Sequence, residues 1–127
     1  MKPSTSEWVV RAEEDFLAAS ALNLRRKKTL ANIVCFHAQQ TVEKYLKARL
    51  EEAGQTIPKT HDLLHLLNLV TPLEPLWQSY HAAFSLLVSY AVQTRYPGTS
   101  ATKSDARHAM KLGRQFRAEA RHALGLR

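Results

Sequence analysis

Ile33–Ala53 reads IVCFHAQQTVEKYLKARLEEA, the longest helical pattern in the chain, with no proline or glycine inside it. At about 100° per residue, Cys35, Ala38, Val42, Tyr45, Leu46 and Leu50 fall on one side. His37, Gln40, Lys44, Lys47 and Glu51 fall on the other. Gly54 follows where a helix C-cap belongs. The spacing predicts a helix that buries one face in a bundle and offers the other to something polar. Gln39 and Glu43 lie at the seam between the faces, and a carboxylate at a seam needs a partner.

Upstream, a short disordered lead is expected, then a helix capped by Ser6 with Glu7 beside its dipole. It runs to about Asn23 or Lys27, with Trp8, Ala12, Phe16, Ala19 and Leu22 as its apolar stripe. Asp15 lies inside that stripe. A core-facing carboxylate must be paired or neutralised, so a basic partner is expected from Lys44 or Arg95. A structural ion pair and a nucleotide-binding or catalytic site both satisfy that requirement.

Downstream, Gly54–Lys59 reads as a turn, with Pro58 holding Ile57 extended. Thr60 is placed to cap a short helix over His61–Val70, with Asp62 favourable near its start. His61 and His65 in HDLLH echo the zinc-protease spacing with Asp in place of Glu, but no third ligand is placed. Pro72 and Pro75 bracket a break before a helix over about Leu76–Thr94. That helix is apolar around much of its circumference, including Trp77, Phe84, Leu87 and Tyr90, which predicts a homodimer whose second subunit supplies cover. Arg95-Tyr96-Pro97-Gly98 ends it in a turn. The last helix begins near Ser104 or Asp105. Its apolar face is Ala109, Leu112, Gly113, Phe116, Ala120 and Ala123; Arg107, Lys111, Arg114 and Arg121 lie opposite.

A length of 127 residues suits one domain with a real core, and four glycines with few β-branched runs argue against a large sheet. These elements make an all-α protein, an antiparallel up-and-down four-helix bundle with one additional short helix. The lone Cys35 excludes an internal disulfide, fits a reducing compartment and reads as a small buried hydrophobe rather than a nucleophile. No signal-peptide pattern or membrane span is visible, so the expected address is the cytoplasm. No P-loop, Rossmann or RNP-like pattern occurs; neither a cofactor nor a metal site is expected.

The net charge of +7 is uneven. Lys103–Arg127 carries seven basic and two acidic residues, hence +5 of that total. Arg25-Arg26-Lys27-Lys28 is a second cluster. Both suit a polyanion such as RNA, a nucleotide or an acidic protein face, and both also suit a solvated surface.

The stretch CFHAQQTVEKYLKARL, followed by Pro58, Thr60-His61-Asp62-Leu63 and Arg95-Tyr96-Pro97, with Trp8, Ala12 and Asp15 before it, resembles the HEPN family (higher eukaryotes and prokaryotes nucleotide-binding). The likeness covers about Trp8–Ala123, within a single HEPN-like domain over residues 1–127. It implies a helical bundle, commonly dimeric. Small prokaryotic members are often paired with a minimal nucleotidyltransferase, frequently as toxin and antitoxin. Some members are metal-independent ribonucleases that use an Arg, four to six intervening residues and a His. There His serves as acid or base on the ribose 2′-OH while Arg stabilises the phosphorane-like charge.

The expected place for that motif is Arg95, yet Ser100, Ala101 and Thr102 hold no histidine. The literal match is Arg117 to His122, late in the last helix, where an i, i+5 pair diverges by roughly 140°. Two readings follow. One is a binding module: a nucleotide-binding partner of a minimal nucleotidyltransferase. Its site would be His37, Gln40, Lys44 and Lys47, one continuous stripe extended by the Arg95 guanidinium and the Tyr96 ring, a positive groove for a nucleotide, RNA phosphate or an acidic rim. The other is an RNA endonuclease using Arg117 with His122, or Arg95 with His37 or His61. Asp15, Glu43, His61 and Asp62 are expected to serve as structural polar groups.

Overall fold

A computed structural model of the protein describes residues 1–93 and 96–127. Among the described residues all regular structure is helical: α1 Pro3–Leu24, α2 Ala31–Glu52, α3 Leu63–Val70, α4 His81–Gln93 and α5 Lys103–Ala123. The expected end of the fourth helix at Thr94 lies outside the described residues. Four longer helices form an antiparallel up-and-down bundle, and α3 is the additional short one.

The central helix is α2. It packs against α1, α3, α4 and α5, and thirteen of its 22 residues are buried. Cys35, Ala38, Val42, Tyr45, Leu46 and Leu50 are nearly inaccessible, as the periodicity predicts, and Val34 is as well. The larger of these side chains stabilise the fold by about 1.5–3 kcal/mol each. Gly113 of α5 sits over Ala38 of α2, where a Cβ would be 3.6 Å from the Ala38 Cβ. The small residues of that face do permit a close approach of the two helices.

Three boundaries differ from the sequence reading. First, α1 starts at Pro3, not Ser6, and the lead is ordered. Proline suits the first helical position because its missing N–H is not needed there. The Lys2 N–H and the Thr5 hydroxyl both donate to Glu52 Oε1, at 3.0 and 2.9 Å, which ties this end to the end of α2. Second, α3 is capped by Asp62 rather than Thr60: its Oδ1 accepts from the Leu64 and His65 N–H groups at 3.0 and 3.3 Å. The Thr60 hydroxyl accepts from the Asp62 N–H instead. Third, Pro75–Tyr80 is a 3-10 helix that precedes α4.

The apolar girth of the fourth helical segment does not require a second subunit. Trp77, Phe84, Leu87 and Tyr90 are buried within one chain. Phe116 of α5 reaches in among their rings, with Trp77, Tyr80 and Phe84 at centroid distances of 4.9, 5.2 and 5.1 Å and nearly perpendicular planes, a favourable edge-to-face arrangement. Composition around a helix cannot tell cover by another chain from cover by an aromatic of the same chain.

Candidate functional site

The stripe of His37, Gln40, Lys44 and Lys47 is not a free positive groove. His37 Nδ1 lies 2.7 Å from Asp15 Oδ1, and Lys44 Nζ donates to the other Asp15 oxygen. Lys47 is buried against Glu43, with Nζ 3.2 Å from Oε2, and its ammonium stands 5.4 Å from the centre of the Trp8 ring. Gln40 is half-buried. The physical cause is α1, which packs over this side of α2, where Asp15 of α1 meets His37 and Lys44 and Trp8 lies under Lys47. A helical wheel of α2 alone counts that side as polar and cannot show that the carboxylates of other turns claim its cations. Tyr96 is exposed, and Arg95 lies outside the described residues.

Asp15 therefore meets basic groups of the central helix. Its carboxylate is buried, while the His37 and Lys44 side chains keep about a quarter of their surface (27% and 23%). The imidazole is held through Nδ1, and Nε2 makes no hydrogen bond to a described residue. Glu43 plays a similar part: one carboxylate gathers Lys47 and His61, whose Nδ1 is 3.0 Å from Glu43 Oε1. His61 is thus turned to a carboxylate and Asp62 to a helix cap, so HDLLH is a structural joint between the α2–α3 loop and α2. Among the described residues no cluster of His, Cys, Asp and Glu could hold a metal ion. Cys35 is buried, which pushes its thiol up to about 12 and leaves it unreactive.

Arg117 and His122 are not brought together. Arg117 forks onto Glu13 of α1, with Nη2–Oε1 2.6 Å and Nε–Oε2 2.7 Å, and its guanidinium lies 4.3 Å from the Phe16 ring centre. The Tyr45 hydroxyl donates to Glu13 Oε2 at 2.5 Å and accepts from Arg121 at 3.2 Å. Burial works to raise the Glu13 carboxyl, but the bonds from Arg117 and Tyr45 and the two guanidinium charges hold it below the usual range. Burial and the Glu13 contact push the Tyr45 phenol up to about 12. His122 lies elsewhere, exposed, in an open groove with Tyr80, Gln115 and Glu119.

The unclaimed cations are on α5 and at the α1–α2 turn. Lys103, Arg107, Lys111 and Arg114 are all exposed, and none takes part in an ion pair among the described residues. Their spacing of four, four and three places them in one row about 16 Å long. Arg121 leaves that row, because it turns to Tyr45 and to the Arg127 carbonyl. The Ala101 N–H donates to Asn32 Oδ1 at 2.7 Å, which pins the start of α5 beside the start of α2. The exposed Arg25-Arg26-Lys27-Lys28 turn, just before α2, is thereby set at the same end as Lys103 and Arg107. Two clusters about 75 residues apart in sequence thus lie at the same end of the bundle. The packing of α5 along α2 sets this, with the amide–asparagine bond at its end, and no periodicity announces it.

The HEPN domain family matches residues 5–123. Two solved structures share the fold. One is TT1696 from Thermus thermophilus, at 24% identity and a TM-score of 0.82, covering 95% of this chain and 98% of that one. The other is ST0689, an archaeal HEPN homologue, at 21% identity and a TM-score of 0.74, covering 97% and 98%. No curated protein matches. The family match spans nearly the whole helical bundle, with the α2 stretch and the Thr60–Leu63 joint inside it: the chain belongs to the HEPN domain family.

Proposed function

We propose that this protein is a HEPN binding module rather than a nuclease, and that its ligand is the phosphate backbone of RNA. The observation that supports this most is the row Lys103, Arg107, Lys111 and Arg114, exposed, without an ion pair among the described residues and at the same end of the bundle as the Arg25–Lys28 turn. A row about 16 Å long outreaches the phosphates of a mononucleotide and suits an extended backbone. Of the catalytic candidates, Arg117 is engaged by Glu13 while His122 faces a separate groove, which favours the binding reading over the Arg117–His122 pair.

Pairing with a minimal nucleotidyltransferase in a toxin–antitoxin-type module remains part of the proposal on the strength of the family alone. A reducing compartment such as the cytoplasm suits the lone Cys35, and no described helix is long and apolar enough to cross a membrane. The test is a titration of a short labelled RNA, a mononucleotide and any co-purified nucleotidyltransferase against wild type and Arg107→Gln/Lys111→Gln/Arg114→Gln. The proposal predicts a loss of RNA affinity of about tenfold or more in the variant, with weak mononucleotide binding throughout. Equal RNA affinity in the two proteins contradicts it. RNA cleavage that vanishes in His122→Ala establishes the nuclease instead.

A further inference from the structure

Past Arg114 the chemistry of α5 changes. Arg117 and Arg121 are turned to Glu13 and Tyr45, so the positive row stops there. Gln115, Glu119 and His122 follow, and they line an open groove of about 540 Å³ with Tyr80 of the 3-10 helix. An adjoining hollow of about 390 Å³ shares Tyr80, Glu119 and His122 and adds Glu74 and Leu76. The Tyr80 ring is held in place: it stacks on Phe84 at 5.5 Å and stands nearly perpendicular to Phe116 at 5.2 Å. Leu76 is 87% exposed. Arg49 claims Glu74 at 3.0 Å, but neither Glu119 nor His122 takes part in an ion pair among the described residues. Burial and the nearby Glu119 charge push the Tyr80 phenol up, so ring and carboxylate share one space.

We propose that this groove receives one unpaired guanine base of the RNA strand whose phosphates lie on the α5 row. The proposal rests on the RNA-binding reading and adds a base-reading site to it. Position favours it first. Gln115 directly follows Arg114, and Glu119 lies about 7.5 Å further along the helix axis than Arg114. The groove therefore opens where the row ends, beside the nucleotide that follows the last phosphate held there. Chemistry then selects the base. Like charge keeps a phosphate away from the Glu119 carboxylate. An unstacked base finds there an aromatic ring, an amide, an imidazole and a carboxylate, the groups that read bases in single strands. A carboxylate only accepts, through two oxygens side by side. Guanine alone has two adjacent donors on its pairing edge, N1–H and the N2 amine, and so meets both oxygens at once. Adenine and cytosine set one donor beside an acceptor nitrogen, and uracil sets one donor between two carbonyls. Each of these turns a lone pair toward the carboxylate. Gln115 and His122 supply donors for the guanine O6 and N7 acceptors.

The experiment titrates the full chain with labelled short oligouridines that carry guanosine, inosine or adenosine at one end or the other. Guanosine at one end should raise affinity about tenfold over the all-uridine strand. Inosine, which lacks the N2 amine, should give a smaller gain, and adenosine none. Glu119 is exposed, so Glu119→Gln should keep the helical circular-dichroism spectrum and bind the guanosine and all-uridine strands alike. The ratio of the two affinities is the readout, because losing a negative charge changes binding of every strand together. Equal wild-type affinity for the guanosine and all-uridine strands, or a guanosine preference that survives in Glu119→Gln, would overturn the proposal and leave the phosphate row standing. No binding of any strand at low salt would instead remove the RNA-binding reading itself, and this site with it.

Discussion

Arg117 of α5 and Glu13 of α1 form a two-pronged ion pair, 2.6 and 2.7 Å long, across the bundle. The Glu13 contact holds the guanidinium in its charged form even more firmly than usual, against the opposing effect of burial. Arg117 is therefore a clamp. Arg117→Ala should cost about 1–3 kcal/mol of stability, the range for a charged hydrogen-bonded group that keeps part of its surface in water. The exposed His122→Ala should stay within about 0.5 kcal/mol of wild type. Chemical denaturation of both variants checks this; equal stability of the two would remove the clamp.

Asp15 should matter through both of its partners. Asp15→Asn leaves Lys44 without its carboxylate, and a loss of about 2–3 kcal/mol is expected, below the full cost of breaking a buried pair because Lys44 keeps access to water. In a double-mutant cycle with Lys44→Met, a coupling of about 1 kcal/mol or more should appear. Additive effects would show that the pair contributes nothing.

Much of this was legible in the sequence. The α2 stretch gives its own buried side correctly, because a 3.6-residue period is a local property. The misplaced charge of Asp15 led to its basic partner, because burial makes pairing compulsory. What the wheel could not give was the α2 site: Lys44 serves in the sequence both as a partner for Asp15 and as part of a free stripe, and only the placed carboxylates of Asp15 and Glu43 show that it and Lys47 are taken. The inward face of α1 was only partly legible. Trp8 and Phe16 look like the natural stripe, yet they are only half-buried at its margins, and Thr5 and Val9 take the inward positions.

Stability should fall at both extremes of pH through the Glu13–Tyr45 contact. The Glu13 carboxyl is depressed on folding, so its contribution is present above about pH 4.3 and is lost as pH falls through the lower folded value. The Tyr45 phenol is raised to about 12, so its contribution is present below about pH 10 and is lost as pH rises toward 12. Melting temperatures across pH should lose part of the alkaline decline in Tyr45→Phe, the rest belonging to Cys35, Tyr80 and Tyr90, whose groups are also raised, and part of the acid decline in Glu13→Gln. An alkaline profile identical in Tyr45→Phe would assign the decline to other groups.

Gly113 should tolerate a methyl group. A Cβ there would meet Ala38 at ordinary van der Waals distance, and glycine inside a helix costs about 0.5–1 kcal/mol relative to alanine. Gly113→Ala should raise stability by up to about that amount, whereas Gly113→Leu should force α2 and α5 apart and lower it. A destabilised Gly113→Ala would mean the helices pack more closely than described.

The central claim is that α5, and not the α2 stripe, presents the working charge. The direct measurement is RNA affinity against salt. Four phosphate contacts give a slope of log K on log[salt] near about −3 for a single strand. Arg107→Gln/Lys111→Gln should flatten that slope by about 1.4, and Lys44→Met, with its fold verified, should leave it unchanged. A slope that Lys44→Met flattens and the α5 pair does not, or no measurable RNA binding at low salt, would contradict the account.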